Sequence, residues 1–236
     1  MILQVGLENG IEGRSLAWAL EHPGCFAYGR DATEALIAIV PAYVAYAAWV
    51  NRRVQPAWLP EGGDVDVRLV EVWEVYHLNE FYERVPAGGY EVNAWFQHDW
   101  KPLTRLEVRR GLQLLAWSRA DLLALVQGLD AAALDRTYPG EHWSIRGILE
   151  HLAGAEWWYL DRLNLADQPR AALPADPFER LAVVRQRLEM VLPQLEGEER
   201  VIGKQGELWS PRKLLRRALW HERDHYDHIR RLLGLN

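Results

Sequence analysis

Cysteine is nearly missing from this chain. Cys25 stands alone among 236 residues, so no internal disulfide can form, and a reducing cytoplasm is the expected setting. Lysine is scarce as well, 3 against 24 arginines, a bias that does not establish thermal adaptation. No apolar run reaches the ~20 residues of a membrane span. The longest candidate, Ala32 to Val50, contains Glu34 and Pro41 and is followed by Asn51-Arg52-Arg53. The opening residues Met1-Ile2-Leu3-Gln4 lack a charged segment leading into an apolar one, so no secretion signal is expected. Positive charge is sparse at the front: residues 1–100 hold 6 Lys and Arg against 14 Asp and Glu, a net −8, while residues 101–236 hold 21 against 19, a net +2. An acidic front half with no basic ribbon argues against phosphate-backbone binding. Neither a nucleic-acid nor a membrane partner is expected.

Apolar residues are plentiful, at 49%, and the length suits one large domain or two small ones. The 12 tryptophans are spread over both halves, which suits core and interface residues better than a ligand cage.

Two periodicities divide the chain. Ile2 to Glu8 alternates, and Asn9-Gly10 and Glu12-Gly13 supply turn chemistry for a hairpin with Ser15 to Leu20. His22-Pro23-Gly24 breaks that strand, and Cys25 to Tyr28 forms a third. Asp31 caps a helix from Ala32 to about Asn51, which Pro41 should kink or split. The run from Val65 to Tyr76 reads as a fourth strand. Residues 79–102 show no clear period, and we place the boundary near residue 90. The fold class is therefore two-domain: a small α+β domain over 1–90, in the order ββ-β-α-β, and an all-α four-helix bundle over 91–236. Its helices are expected over Thr104–Gly128, Ser144–Leu165, Asp176–Leu195 and Ser210–Leu233, the last two opening on a cap followed by proline. Edge strands of the small front sheet need covering, which favours a homodimer.

The last predicted helix carries His221-Glu222-Arg223-Asp224-His225, an HExxH motif. Residues four apart share a helix face, so two imidazoles placed this way can grip one metal ion. At 100° per residue, Leu214, Ala218, His221, His225, Ile229 and Leu232 form one stripe, with His228 at its edge. Both imidazoles therefore point into the core, where each unmet polar group costs about 1–3 kcal/mol. A metal would satisfy them; hydrogen bonds to other helices, or a wet cavity, would also do so. Only Tyr226 to Asn236 follow the motif, so a third ligand must come from upstream. The candidate is His151, which borders the apolar face of Ile148, Leu152, Ala155 and Tyr159 on the second bundle helix. Three imidazoles from two helices would leave positions open on the ion, as a catalytic site requires, and they suit zinc, nickel, iron or manganese. His22, His77, His98 and His142 are weaker candidates. Glu222 lies one step round the helix from the ligand stripe. It reads either as a general base or as a surface glutamate beside Arg223.

Two segments, Trp143-Ser144-Ile145-Arg146-Gly147-Ile148-Leu149-Glu150-His151-Leu152 and Leu219-Trp220-His221-Glu222-Arg223-Asp224-His225, resemble the second-helix and last-helix signatures of the DinB/YfiT-like family of four-helix-bundle metalloproteins. The resemblance covers residues from about 92 to 236. It implies a metal triad at His151, His221 and His225. Many relatives carry a glycine-glutamine pair soon after the second last-helix histidine, where this chain has Tyr226-Asp227-His228-Ile229. The resemblance further implies low-molecular-weight thiol chemistry, in which an ion holds a thiolate or activates water. More loosely, Ser15 to Gly29 followed by Asp31-Ala32-Thr33-Glu34-Ala35-Leu36 resembles a HicB-like domain. That suggests an accessory, dimerisation or ligand-sensing module, with Cys25 as a structural turn residue.

Two functional readings follow. In the first, the chain is a metal-dependent transferase or hydrolase acting on a small molecule, a thiol among the candidates. In the second, it is a non-catalytic binding protein with a structural metal or none, whose front domain recruits a partner or ligand.

Overall fold

The structure, a computed structural model, describes every residue except 61, 87 and 236. It divides into two compact units, Met1–Lys101 with Gly203–Trp209, and Pro102–Ile202 with Ser210–Asn236.

The first unit is built on a four-stranded sheet. Strand β1 (Ile2–Ile11) pairs antiparallel with β2 (Arg14–Ala19), and β2 with β3 (Phe26–Gly29). Glu12 and Gly13 turn the first hairpin, both at positive φ, the backbone that a two-residue turn between twisted strands requires. Gly10, also at positive φ, lies where the register shifts, so Asn9-Gly10, the other turn signal in the sequence, is a bulge. After β3 the chain enters α1 (Ala32–Asn51), and Asp31 accepts a hydrogen bond from the Glu34 amide as its cap. Strand β4 (Asp66–Glu74) then joins β1 in parallel, giving the sheet order β3-β2-β1-β4.

Helix α1 neither splits nor stops at Pro41. The proline lies on the exposed side, and Ile37, whose carbonyl loses its amide partner, is 68% exposed, so water can satisfy that carbonyl. Its continuity makes α1 the one helix among the described residues long and apolar enough to cross a membrane, judged by length and composition alone. Its inner face, with Ile39, Tyr43, Tyr46 and Val50, is buried, and the helix packs against β2 and β3.

The sequence boundary at residue 90 and the structural one at Lys101 differ for a physical reason. Residues 91–101 pack with the first unit: the buried Glu8 carboxylate accepts from the Ala94 amide at 2.7 Å and from Trp18 Nε1 at 2.9 Å. Phe96 is fully buried against Gly6, where a Cβ would come within 2.8 Å of its ring. Short strands β5 (Tyr76–Leu78), β6 (Arg84–Val85) and β7 (Tyr90–Val92) form a second sheet. A hairpin of β8 (Ile202–Lys204) and β9 (Glu207–Trp209) has no counterpart in the sequence reading, because three-residue strands are too short to show a period.

The second unit holds four long helices: α2 (Arg105–Val126), α4 (Ile145–Arg162), α5 (Pro177–Val191) and α6 (Pro211–Leu232), with a one-turn α3 (Ala131–Leu134) between the first two. Each long helix begins at a sequence-legible cap: Thr104 with Glu107 in a capping box, Ser144, Asp176 before Pro177, and Ser210 before Pro211. Helix α2 packs on α6, and α4 packs on both α5 and α6. Gly111 lets α2 approach closely, since a Cβ there would lie 2.8 Å from Leu215 Cδ2. Leu122, Ile148, Leu149, Leu152, Leu181, Val184 and Ile229 form the centre of the core.

Candidate metal centre

Helix α6 is buried without a break from Pro211 to Glu222. Its next turns carry His225 inward and Asp227 outward, as the projection at 100° per residue requires. His221 and His225 are each 8% exposed. Opposite them, α4 presents His151, half-buried. One ring nitrogen from each of the three lies within 4.8 Å of the other two, and the Nε2 atoms of His151 and His221 are 3.0 Å apart. Two imidazoles bound to one zinc-like ion at 2.0–2.1 Å, in tetrahedral geometry, hold their nitrogens at about this separation.

The protonation states suit metal ligation. Burial first, and then the neighbouring charges of His225, His151 and Arg217, hold His221 well below the usual imidazole range. Burial, reinforced by His151, His228 and Arg231, lowers His225 to about 3. Both rings are therefore neutral near pH 7, with lone pairs free for a ligand bond. His225 Nδ1 is buried with no hydrogen-bond partner, the condition of a ring left short of one ligand. These features fit a divalent ion.

Neighbours shape the pocket. Trp143, just before α4, stacks on His151 with ring centroids 4.4 Å apart and planes 23° from parallel. Tyr159 meets His221 edge-on at 6.0 Å. His228 stacks on His225 at 5.8 Å, and its Nε2 lies 2.9 Å from Glu141 Oε2. The sequence places His228 at the edge of the ligand stripe, Tyr159 on the apolar face of the second bundle helix and Trp143 at the start of its signature, but assigns none of them to the site. The other candidate histidines are elsewhere: His22, His77 and His98 belong to the first unit, and His142 is exposed.

Glu222 is neither a surface residue nor poised at the imidazoles. It is 2% exposed and accepts hydrogen bonds from Arg119 Nε at 2.6 Å and Arg185 Nη2 at 3.0 Å. Glu156 completes the set, accepting from Arg119 Nη2 at 3.0 Å and from Arg185 Nε and Nη2 at 2.8 Å. The two guanidinium groups also donate to the carbonyls of Leu181 and Leu115, each at 2.7 Å. Burial alone would raise the Glu222 pKa; Arg185 and Arg119 overcome that and hold it below the usual carboxylate range. One charged residue from each long helix thus meets in a buried set of two positive and two negative groups.

A signal for this network was present in the sequence. Each member has buried residues at −4 and +3: Leu115 and Leu122 around Arg119, Leu152 and Tyr159 around Glu156, Leu181 and Leu188 around Arg185, Ala218 and His225 around Glu222. A charge at such a position lies on the core face of its helix.

A family model described as the DinB superfamily matches residues 114–229. Among solved structures, a match is found to YfiT from Bacillus subtilis, described as a probable metal-dependent hydrolase with an unusual four-helix bundle topology. Identity is 21%, the match covers 57% of this chain and 91% of that one, and the TM-score is 0.43. No curated protein matches the chain.

Proposed function

Because its residues 114–229 belong to the DinB superfamily, we propose that this chain is a metal-dependent enzyme whose ion is held by His151, His221 and His225. The observation that carries the proposal is the convergence of three imidazole nitrogens within 4.8 Å from two helices. Two of the rings are held neutral by burial. A divalent ion with three protein ligands keeps room for water or substrate and supplies Lewis acidity there.

The chain's own residues do the rest. His151, His221 and His225 provide the ligand atoms, and Trp143 fixes the plane of the His151 ring by stacking on it. We assign Glu222 a structural role, because its Oε2 accepts from both Arg119 and Arg185. That departs from proteases sharing the HExxH spacing, where the glutamate serves as base. The reaction class we favour is transfer or hydrolysis on a small molecule, with a low-molecular-weight thiol as the co-substrate to test first. Zinc, nickel, iron and manganese all suit the ligand set. The front unit, with its β-β-β-α-β order, is proposed as a HicB-like accessory domain, and the cytoplasm as the location.

The test is metal content per chain, measured by mass spectrometry on untagged protein purified without chelator or nickel resin, beside a His221→Ala variant. About one equivalent of a transition metal, lost in the variant, is the expected result. No metal in the native protein, and no uptake when ions are supplied, would leave a non-catalytic binding protein.

A further inference from the structure

The outer face of α1 has the composition of an interior surface. Between Glu34 and Arg52 the chain carries no charged residue, and a helix that is apolar all round is normally covered on all sides. Only one side of α1 is covered by the sheet. On the other, Ile37 is 68% exposed and Val44 57% exposed, with Pro41, Ala45 and Ala48 exposed between and beyond them and Ala38 half-buried. These positions, together with Glu34, follow a seven-residue repeat of three- and four-residue steps, the spacing of a helix-packing seam.

We propose that this face is where a second copy of the chain docks, with the two α1 helices antiparallel about a two-fold axis at Pro41. Symmetry then fixes every pairing. Ile37 of each copy meets Ala45 of the other, and Val44 meets Ala38, so each large side chain faces a small one. A two-fold interface must be complementary to itself, and this stripe is so in shape. It is so in charge as well. The N-terminal end of α1 carries Arg30, Asp31 and Glu34, net −1, and the C-terminal end carries Arg52 and Arg53, net +2. Antiparallel packing places each end against its opposite, and it also opposes the helix dipoles favourably.

The seam is short, about 22 Å from Thr33 to Ala48 at 1.5 Å per residue. It is widened by a groove of about 410 Å³ beside it, between Tyr43, Val44 and Ala48 on the helix and Met1, Pro60 and Val65. The interface falls at the small end of specific associations, so the dimer should form reversibly with concentration.

Sedimentation velocity on the full chain from about 1 to 100 µM tests this. The sedimenting mass should rise from that of the 27.2 kDa monomer towards twice that value. Ile37→Glu and Val44→Glu should each hold the protein monomeric at every concentration, with circular dichroism and thermal midpoint unchanged, since both side chains are exposed. Pro41→Cys should cross-link to itself through a short bis-maleimide, whereas Ile37→Cys should cross-link only when mixed with Ala45→Cys. A monomer throughout would overturn the proposal. So would a dimer indifferent to both glutamate variants, or monomeric protein whose α1 face instead binds phosphatidylcholine–phosphatidylglycerol vesicles.

Discussion

His221 and Glu222 are neighbours in sequence and face different chemistry. The His221 Nε2 lies 3.0 Å from His151 Nε2, while Glu222 accepts from Arg119 at 2.6 Å in a buried set of four charges. One helical step of 100° separates the proposed metal centre from this ionic lock. The lock ties α6 to α2, α4 and α5, so it fixes the rotation of the helix that carries two of the three imidazoles.

Glu222→Gln therefore acts on stability. Removing one negative charge leaves Arg119 and Arg185 sharing Glu156 alone, and breaking a buried pair typically costs about 3–5 kcal/mol. Urea denaturation should show a loss of that order, with metal stoichiometry retained in the folded fraction. Replacing all four charges by apolar residues of similar volume should cost far less, because no uncompensated charge remains. A Glu222→Gln protein of unchanged stability that had lost all activity would restore the glutamate to a base role.

The metal-free protein should lose stability as soon as pH falls through the histidine range. The folded-state pKa of His225 is depressed to about 3, against about 6.5 for an unperturbed imidazole. The unfolded chain then binds more protons between these values, so the contribution is fully present above pH 6.5 and declines progressively towards pH 3. Chelator-treated protein titrated with urea from pH 7 to 4 should show this slope, and His225→Gln should reduce it, leaving the part due to His221. A supplied divalent ion should move the decline to lower pH, because protons and metal compete for the same lone pairs.

How much of this was legible in the sequence depends on range. The four long helices could be read because each announces itself locally, as at Thr104 with Glu107 and at Asp176 with Pro177. The histidine stripe could be read because helical period alone places His221 and His225 on one face. Whether Pro41 would break α1 could not, since that depends on whether the carbonyl of Ile37 reaches water. Nor could the partners of Glu222, which lie 103 and 37 residues away at Arg119 and Arg185. A buried charge is tolerable only if distant helices deliver its counter-charge, and no local pattern records that delivery.

A separate acid transition should come from the start of α2. Burial would raise the Glu107 pKa, but hydrogen bonds from Arg212 and Thr104 bring it down to about 2. The carboxylate receives Arg212 Nη1 at 2.6 Å and Nη2 at 2.9 Å, and the Thr104 amide at 2.8 Å. Because its folded pKa is depressed, its stabilisation is full above pH 4.5 and is lost as pH falls through 2, a window that begins and ends lower than that of the histidines. The side chain is 38% exposed, so solvent screening reduces the gain well below what the shift alone suggests, to about 1–2 kcal/mol for cap and ion pair together. Glu107→Gln should lower stability by that amount at pH 7 and by only a small part of it at pH 2.5. It should leave the metal content unchanged, since Arg212 and Thr104 take no part in the histidine cluster. Equal losses at both pH values would mean that Glu107 acts by packing, not by charge.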